Sequence, residues 1–147
     1  MPDLLRDPVV RLLVVVYALL VLKMAAVGRY TSILRLRRNV FATPEDYALR
    51  GVAPRTRDED IERVRRAHRN DLENILPFFV VGFLYVLTRP SLLVAGIYLV
   101  GYLVARTLHS IFYIRGMQPY RTITFTAGGL LTLAMIASTL FAVARAG

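Results

Sequence analysis

The sequence predicts an all-α membrane protein, built as a bundle of four transmembrane helices. Three observations support this fold class: 56% of the 147 residues are hydrophobic, the mean hydropathy is +0.50, and the chain contains four long apolar segments. A membrane span needs about 20 predominantly apolar residues, since a helix rises only about 1.5 Å per residue. Soluble domains of this size rarely combine such a composition with four such segments.

The predicted spans follow one another closely, and residues 1–147 are expected to form one integral membrane domain. The spans are residues 8–38, 61–87, 91–114 and 120–143. Proline supports two of these limits because it cannot continue a helix: Pro90 follows the second span and Pro119 precedes the fourth. The long connection is predicted to be a loop over 39–60, with a short helix from Pro44 to Leu49.

Arginine is concentrated on one side of the predicted bundle. The net charge is +9, and the loop 39–60 with its flanks holds Arg35, Arg37, Arg38, Arg50, Arg55, Arg57, Arg63, Arg65, Arg66 and Arg69. Lys and Arg are enriched in cytosolic loops, so this loop is predicted to be cytosolic and both termini to lie on the opposite face. Because the basic residues cluster at the ends of spans, we expect them to contact membrane lipids and no nucleic acid.

The chain contains no cysteine, which excludes disulfides, thiolate metal sites and a cysteine nucleophile. Any thiol chemistry must therefore use a thiol that a ligand supplies. The two histidines, His68 and His109, are far apart in the sequence, so no metal-binding motif is present.

Charged residues stand where the second span begins, since IERVRRAHRNDLENILPFF continues directly into VVGFLYVL. Charge at a membrane span is costly and usually marks function. Asp71 points to another side of this helix and is expected to form a structural salt bridge, while Lys23 of span one is expected to form an interhelical pair. Glu62 is one turn from Arg66 and can pair with it. Helical spacing places four polar residues on one face: Arg66, Arg69, Asn70 and Glu73.

The other spans carry polar residues at the same predicted membrane face. They are Arg35 at the end of span one, Arg106, His109 and Tyr113 in span three, and Arg121, Thr122 and Thr126 in span four, where Phe125 lies on the same face. Arginine binds carboxylates bidentately, Glu73 and Asp71 can hold an ammonium group, and Asn70 can bind an amide. A tripeptide with two carboxylates, one ammonium and a thiol fits this set. Glutathione is therefore a candidate ligand, although many other anions fit the same residues.

The stretch ERVRRAHRNDLENILPF resembles the signature E-R-x-x-R-A-H-x-N-D-x-E-N/T-x-x-P-F of the MAPEG family, the membrane-associated proteins in eicosanoid and glutathione metabolism. The segments VLKM (21–24) and RLRRNVFATPED (35–46) are similar to the subgroup of microsomal glutathione transferase and microsomal prostaglandin E synthase. The resemblance covers about residues 20–140. It implies a homotrimer of four-helix subunits that binds glutathione between neighbouring subunits near the cytosolic face.

The resemblance also implies roles for individual residues. Arg121 is expected to stabilise the glutathione thiolate, next to Thr122 and with assistance from Asp46. The expected glutathione contacts are Arg35, Arg66, Arg69, Asn70, Glu73, Arg106, His109, Tyr113, Arg121 and Phe125. A groove for a lipophilic substrate from the bilayer is expected between spans one and four of adjacent subunits, with Ala25, Gly28, Ser32, Thr126, Leu130 and Leu133.

Three positions depart from the synthase pattern. Thr122 replaces a serine, Phe125 replaces a tyrosine, and Arg29 stands where an apolar groove wall is expected. These departures favour a general glutathione transferase or peroxidase that acts on lipophilic electrophiles or lipid hydroperoxides. Two alternatives stay open: a glutathione-dependent prostaglandin E synthase-type endoperoxide isomerase, and a non-enzymatic membrane scaffold or regulator. The expected location is the endoplasmic reticulum membrane in a eukaryote or the inner membrane in a bacterium.

Overall fold

Four long helices and one short helix make up the structure, a computed structural model that describes residues 4–54 and 57–146. A 3₁₀ turn at Leu4–Arg6 precedes α1 (Pro8–Arg38), α2 (Pro44–Arg50), α3 (Glu59–Leu87), α4 (Leu92–Ile114) and α5 (Gln118–Ala146). The helices α1, α3, α4 and α5 are each long and apolar enough to cross a membrane. They confirm the predicted spans, whose limits lie within three residues of the helix ends, and α2 confirms the predicted short helix. Arg55, one of the predicted loop arginines, lies outside the described residues.

Short polar side chains fix where the long helices begin. Asp7, Asp58 and Ser91 are the N-caps of α1, α3 and α4, and each side chain accepts a hydrogen bond from a backbone N–H of the first turn. These bonds satisfy N–H groups that have no partner within the helix. At the other end of α1, Asn39 adopts a left-handed conformation with φ of 52°, which ends the helix.

An ion pair closes the connection between α1 and α3 at its base. The Arg38 guanidinium at the end of α1 donates to both carboxylate oxygens of Asp58, at 2.8 and 2.7 Å. This hydrogen bonding lowers the pKa of Asp58 below its usual range. The end of α1 is thereby fastened to the start of α3, so the predicted loop leaves and returns at nearly the same place.

The helices α3 and α4 form the centre of the bundle. Both α1 and α5 pack against α3 and α4, whereas α1 and α5 do not approach each other in the described part of the chain. The helices α1 and α5 therefore occupy separate sides of the central pair. Each leaves a broad apolar face outside the bundle, including Leu22 on α1 and Leu130 on α5. Such faces are expected where lipid or another membrane helix covers the protein.

Aromatic packing holds the centre of the bundle together. The Phe78 ring of α3 stacks on the Tyr102 ring of α4, with ring centroids 3.5 Å apart and planes at 2°. Leu20 of α1 and Met135 of α5 are also fully buried in the same core cluster. All four long helices thus contribute to one continuous core.

Tyrosine hydroxyls brace α3 on both sides of a proline. Pro77 lies inside α3 and lacks the N–H that a helix interior normally uses. The Tyr102 hydroxyl donates to the carbonyl of Asn74 at 2.8 Å, and the Tyr17 hydroxyl donates to the carbonyl of Phe79. These bonds from α4 and α1 hold the backbone of α3 near the point where proline weakens it.

Replacing Phe78 with alanine is expected to lower the free energy of unfolding by about 3–5 kcal/mol, the usual cost of removing a buried phenylalanine ring. Phe83→Ala is the matched control, because Phe83 lies on the same helix with 53% of its surface exposed. Thermal or detergent-induced unfolding of the purified variants measures both changes. Equal losses from the two substitutions would contradict the packing described here.

Candidate functional site

The polar face predicted on α3 divides into an exposed part and a half-buried part. Arg69 and Glu73 are 79% and 62% exposed, and they lie one turn apart with the Arg69 Nε and Glu73 Oε1 atoms 3.9 Å apart. Arg66 is also exposed, and its guanidinium is 2.6 Å from a Glu59 carboxylate oxygen. Exposed ion pairs contribute little to stability. Both arginines can therefore exchange these partners for an anionic ligand, whereas Asn70 is half-buried and turned toward α4.

Glu62 and Arg66 of α3 have partners other than each other. The Glu62 carboxylate is buried and lies 2.8 Å from Arg57 and 3.3 Å from Arg65. Arg66 reaches Glu59 instead. The spacing of one turn permits a pair between Glu62 and Arg66, but it does not decide which of several neighbouring charges each side chain contacts.

A buried ion cluster lies on the opposite side of α3. Asp71 is fully buried, with its Oδ1 atom 2.5 Å from Lys23 Nζ of α1 and 3.2 Å from Arg106 Nη2 of α4. The Ser110 hydroxyl lies 3.2 Å from both carboxylate oxygens. These contacts confirm the structural salt bridge expected for Asp71 and the interhelical pair expected for Lys23. Because Asp71 is fully buried and already paired with two cations, it is not placed to hold a ligand's ammonium group at the surface.

Arg106 connects this cluster to the predicted ligand face. Its Nη2 atom donates to the Asn70 side-chain oxygen at 2.6 Å and to the Asn70 backbone carbonyl at 3.1 Å. Arg106 is only 1% exposed, so within one chain it reaches Asn70 and Asp71 rather than the surface. Arg106 therefore holds both the backbone and the side chain of Asn70 in place from within the bundle.

Four of the predicted site residues meet where α4 ends and α5 begins. The Arg121 guanidinium lies over the Tyr113 ring, with its Cζ atom 4.6 Å from the ring centroid. His109 packs against the rings of both Tyr113 and Phe125, at centroid distances of 5.7 and 5.6 Å. Arg66 of α3 interacts electrostatically with the Tyr113 hydroxyl. Residues from α3, α4 and α5 thus form one linked cluster around the Tyr113 ring, and Arg121 in this cluster is half-buried.

The hydrogen bonding of His109 fixes which ring nitrogen carries the proton. His109 Nδ1 lies 3.0 Å from the Arg121 carbonyl oxygen. A carbonyl can only accept, so Nδ1 donates and Nε2 of the neutral ring is an acceptor. His109 Nε2 is buried and has no hydrogen-bond partner in the described residues. Within one chain this acceptor nitrogen is enclosed by protein.

A cavity of about 260 Å³ opens between α3, α4 and α5. The Gly128-Gly129 pair of α5 borders this cavity, and a Cβ atom added to Gly128 would lie 3.4 Å from Arg106 Cδ. The residues that line it are Glu73, Asn74, Pro77, Tyr102, Arg106, Gly128, Gly129, Thr132 and Leu133. Asn74 and Tyr102 were not among the predicted site residues. The signal for Asn74 was its position one turn after Asn70, but Tyr102 is indistinguishable in the sequence from other tyrosines of apolar spans.

The remaining predicted residues do not meet within one chain. Asp46 is exposed on α2, which makes no close backbone approach to α5, where Arg121 lies. Arg35 lines a different cavity at the end of α1, beside Glu62. Gly28 of the predicted groove packs inward, because a Cβ atom there would lie 3.3 Å from the His68 ring of α3.

The other predicted groove residues lie on exposed surfaces of α1 and α5, namely Ala25, Ser32, Thr126, Leu130 and Leu133. Since α1 and α5 do not touch in the described residues, these two sets can form one groove only between two copies of the chain. Thr122 is likewise exposed near the start of α5.

The sequence profile of the MAPEG family matches residues 13–141. The chain is 41% identical to prostaglandin E synthase of Homo sapiens over 130 residues, which cover 86% of this chain and 85% of that protein. It is 43% identical to microsomal glutathione S-transferase 1 of Sus scrofa over 126 residues, which cover 81% of each chain. The same enzyme of Rattus norvegicus gives the same identity and coverage.

Replacing Asp71 with alanine is expected to lower the free energy of unfolding by about 3–5 kcal/mol, because it leaves Lys23 and Arg106 as buried cations without a counter-charge. Glu73→Ala serves as the control, because Glu73 is exposed on the same helix and is expected to change stability by less than about 0.5 kcal/mol. Unfolding of both variants in the same detergent measures the difference. A stable Asp71→Ala protein would show that the buried cluster does not hold the bundle together.

Proposed function

The chain belongs to the MAPEG family, and we propose that it is a membrane-bound glutathione transferase or peroxidase. It activates glutathione as a thiolate, which attacks lipophilic electrophiles or lipid hydroperoxides that arrive through the bilayer. The observation that carries this proposal is the placement of the half-buried Arg121 guanidinium over Tyr113, whose ring also packs against His109 in a cluster with Phe125. Relatives that are 43% identical over 81% of the chain include glutathione S-transferases.

Arg121 is proposed to lower the pKa of the glutathione thiol. A thiol titrates near 8.5 in water, and each unit of depression requires about 1.4 kcal/mol of preferential thiolate stabilisation. A guanidinium next to the sulfur in a partly desolvated site supplies this stabilisation, since opposite charge favours the ionised form. The Tyr113 ring restricts the Arg121 side chain, so less conformational freedom is lost when the thiolate binds.

The rest of the ligand is proposed to bind along the outward face of α3. Arg66 and Arg69 bind the glutathione carboxylates, and Glu73 binds the ammonium group. Their present partners are exposed carboxylates on the same helix, which a bound ligand can replace. Asn70, His109, Tyr113 and Phe125 complete the contacts, with Arg35 supplied from another part of the assembly. Arg106 is proposed to act without contacting the ligand, by holding the Asn70 side chain through a hydrogen bond.

The active assembly is proposed to be a homotrimer in which each site lies between two subunits. The separation of α1 from α5 within one chain supports this proposal, because the substrate groove needs α1 of one subunit and α5 of its neighbour. Asp46 is proposed to reach Arg121 in the same way. Both long helices keep exposed apolar faces that a neighbouring subunit and lipid can cover.

An endoperoxide isomerase of the prostaglandin E synthase type is the second candidate. The 41% identity to the human synthase favours it as much as the 43% identity to the pig transferase favours the first, so overall similarity does not separate the two. Thr122 keeps a hydroxyl group near the start of α5, which the isomerase reading needs. Phe125 packs on His109 but has no hydroxyl to donate, and this difference from the synthase pattern favours the transferase.

Replacing Arg121 with alanine is expected to abolish the ultraviolet difference absorbance of the bound glutathione thiolate at neutral pH, because the cation beside the sulfur is lost. The purified protein in detergent is titrated with glutathione, and binding is measured in parallel by calorimetry. Arg115→Ala is the matched control, an exposed arginine just before α5. A wild-type protein that binds no glutathione by either method would contradict the enzyme reading and favour the scaffold.

Substrate turnover separates the two enzymatic candidates. We expect the protein to conjugate glutathione to a nitro-activated aryl chloride or to reduce a lipid hydroperoxide, and to convert a prostaglandin endoperoxide at a much lower rate. Product formation is measured by chromatography with the wild-type protein and with Arg121→Ala as the inactive reference. Faster conversion of the endoperoxide than of either other substrate would contradict the proposed transferase activity and support the isomerase activity.

A further inference from the structure

The buried ion cluster contains one more cation than anion. Lys23 and Arg106 share the single carboxylate of Asp71, which is fully buried, and neither cation belongs to an exposed surface. Lys23 is the one lysine among 19 basic residues, so every other basic position in the chain is an arginine. Two buried cations on one carboxylate cost more desolvation than one pair does, so stability alone does not account for the second cation.

The distances show how the two cations divide the available acceptors. Lys23 Nζ lies 2.5 Å from Asp71 Oδ1 and 2.5 Å from the Ser110 hydroxyl oxygen. Arg106 Nη2 lies 3.2 Å from the same Asp71 oxygen but only 2.6 Å from the neutral side-chain oxygen of Asn70. Arg106 is therefore closer to an amide than to a carboxylate. Lys23 accounts for the closer approach of Arg106 to Asn70. The Lys23 ammonium group pairs with Asp71 from α1, and this pairing weakens the attraction between the Asp71 carboxylate and Arg106.

The contact with Arg106 determines how the Asn70 amide is oriented. A guanidinium has only donors, so the side-chain oxygen of Asn70 must face Arg106. The NH₂ group then faces away from the cluster, and Nδ2 has no hydrogen-bond partner in the described part of the chain. Asn70 therefore offers two fixed donors and no acceptor to a ligand, which suits a carboxylate or carbonyl oxygen.

We propose that Lys23 and Asp71 are positioning residues that act on ligand binding through Arg106 and Asn70. Lys23 holds Asp71, which leaves Arg106 bonded to Asn70 and directs the Asn70 NH₂ group toward an acceptor oxygen of the ligand. The identity of that ligand as glutathione rests on the proposed function. The positioning itself rests on the buried contacts and does not depend on which anion binds.

Lys23→Met is expected to weaken glutathione binding about tenfold, the effect of one hydrogen bond to a charged group. Without Lys23, Asp71 attracts Arg106, and Asn70 loses the bond that orients it. The dissociation constant is measured by calorimetry, and kcat at saturating glutathione is expected to stay within about twofold, because Arg121 is unaffected. Lys23→Gln replaces Lys23→Met should the latter not fold, since it also removes the charge.

A double-mutant cycle distinguishes positioning from a general loss of stability. In the Asn70→Ala background, Lys23→Met is expected to cause no further loss of glutathione affinity, since the residue through which it acts is gone. Lys23→Met combined with Asp71→Asn is expected to restore affinity, because a neutral amide does not attract Arg106 away from Asn70. Equal losses of affinity from Lys23→Met in the wild-type and Asn70→Ala backgrounds would overturn the proposal.

A structure of the Lys23→Met protein gives a readout that does not require glutathione. The distance between Arg106 Nη2 and Asn70 Oδ1 is expected to lengthen beyond hydrogen-bond range as Arg106 moves to Asp71. An unchanged Arg106–Asn70 contact would refute the positioning role even if glutathione binds. Conversely, a wild-type protein that binds no glutathione would refute the proposed function, and a lengthened contact would still support the positioning role.

Discussion

A buried carboxylate on α3 sets the main constraint on this structure. Asp71 is fully buried in a helix that also has to cross a membrane, and an unpaired charge there costs several kcal/mol. Only α1 and α4 are close enough to neutralise it, and they do so with Lys23 and Arg106. Satisfying this one group therefore fixes both the rotation of α3 and the height of α1 and α4 relative to it.

The same rotation creates the outward polar face. With Asp71 turned inward, the adjacent helical positions turn Arg66, Arg69 and Glu73 outward, and Asn70 lies between the two environments. Asn70 is thus the link between a buried cluster that stabilises the bundle and an exposed face suited to an anionic ligand. Structural and binding roles meet in adjacent residues, because a helix places consecutive side chains about 100° apart.

The division of the bundle explains why one chain by itself cannot form the proposed substrate groove. The central helices α3 and α4 separate α1 from α5, so the small residues of α1 and the apolar residues of α5 face different directions. Arg121, by contrast, lies over the Tyr113 ring within one chain, in a cluster that also contains His109 and Phe125. The proposed thiolate-stabilising group is therefore organised by each subunit, while the proposed substrate groove depends on the contact between subunits.

Composition and periodicity by themselves determined the four spans, the short helix and the polar face of α3, because hydrophobic length and helical spacing are local properties. They also indicated that Asp71 and Lys23 are structural, since Asp71 falls off the polar face and Lys23 lies deep in a span. Only the tertiary structure decided that Arg106 is buried against Asn70, that Arg66 pairs with Glu59 rather than Glu62, and that Gly28 packs on His68. Those outcomes depend on how each helix is rotated against its neighbours. The ion pairs of Asp71 and the packing of large side chains such as Phe78 and Tyr102 set that rotation together, and the spacing within a single helix does not indicate it.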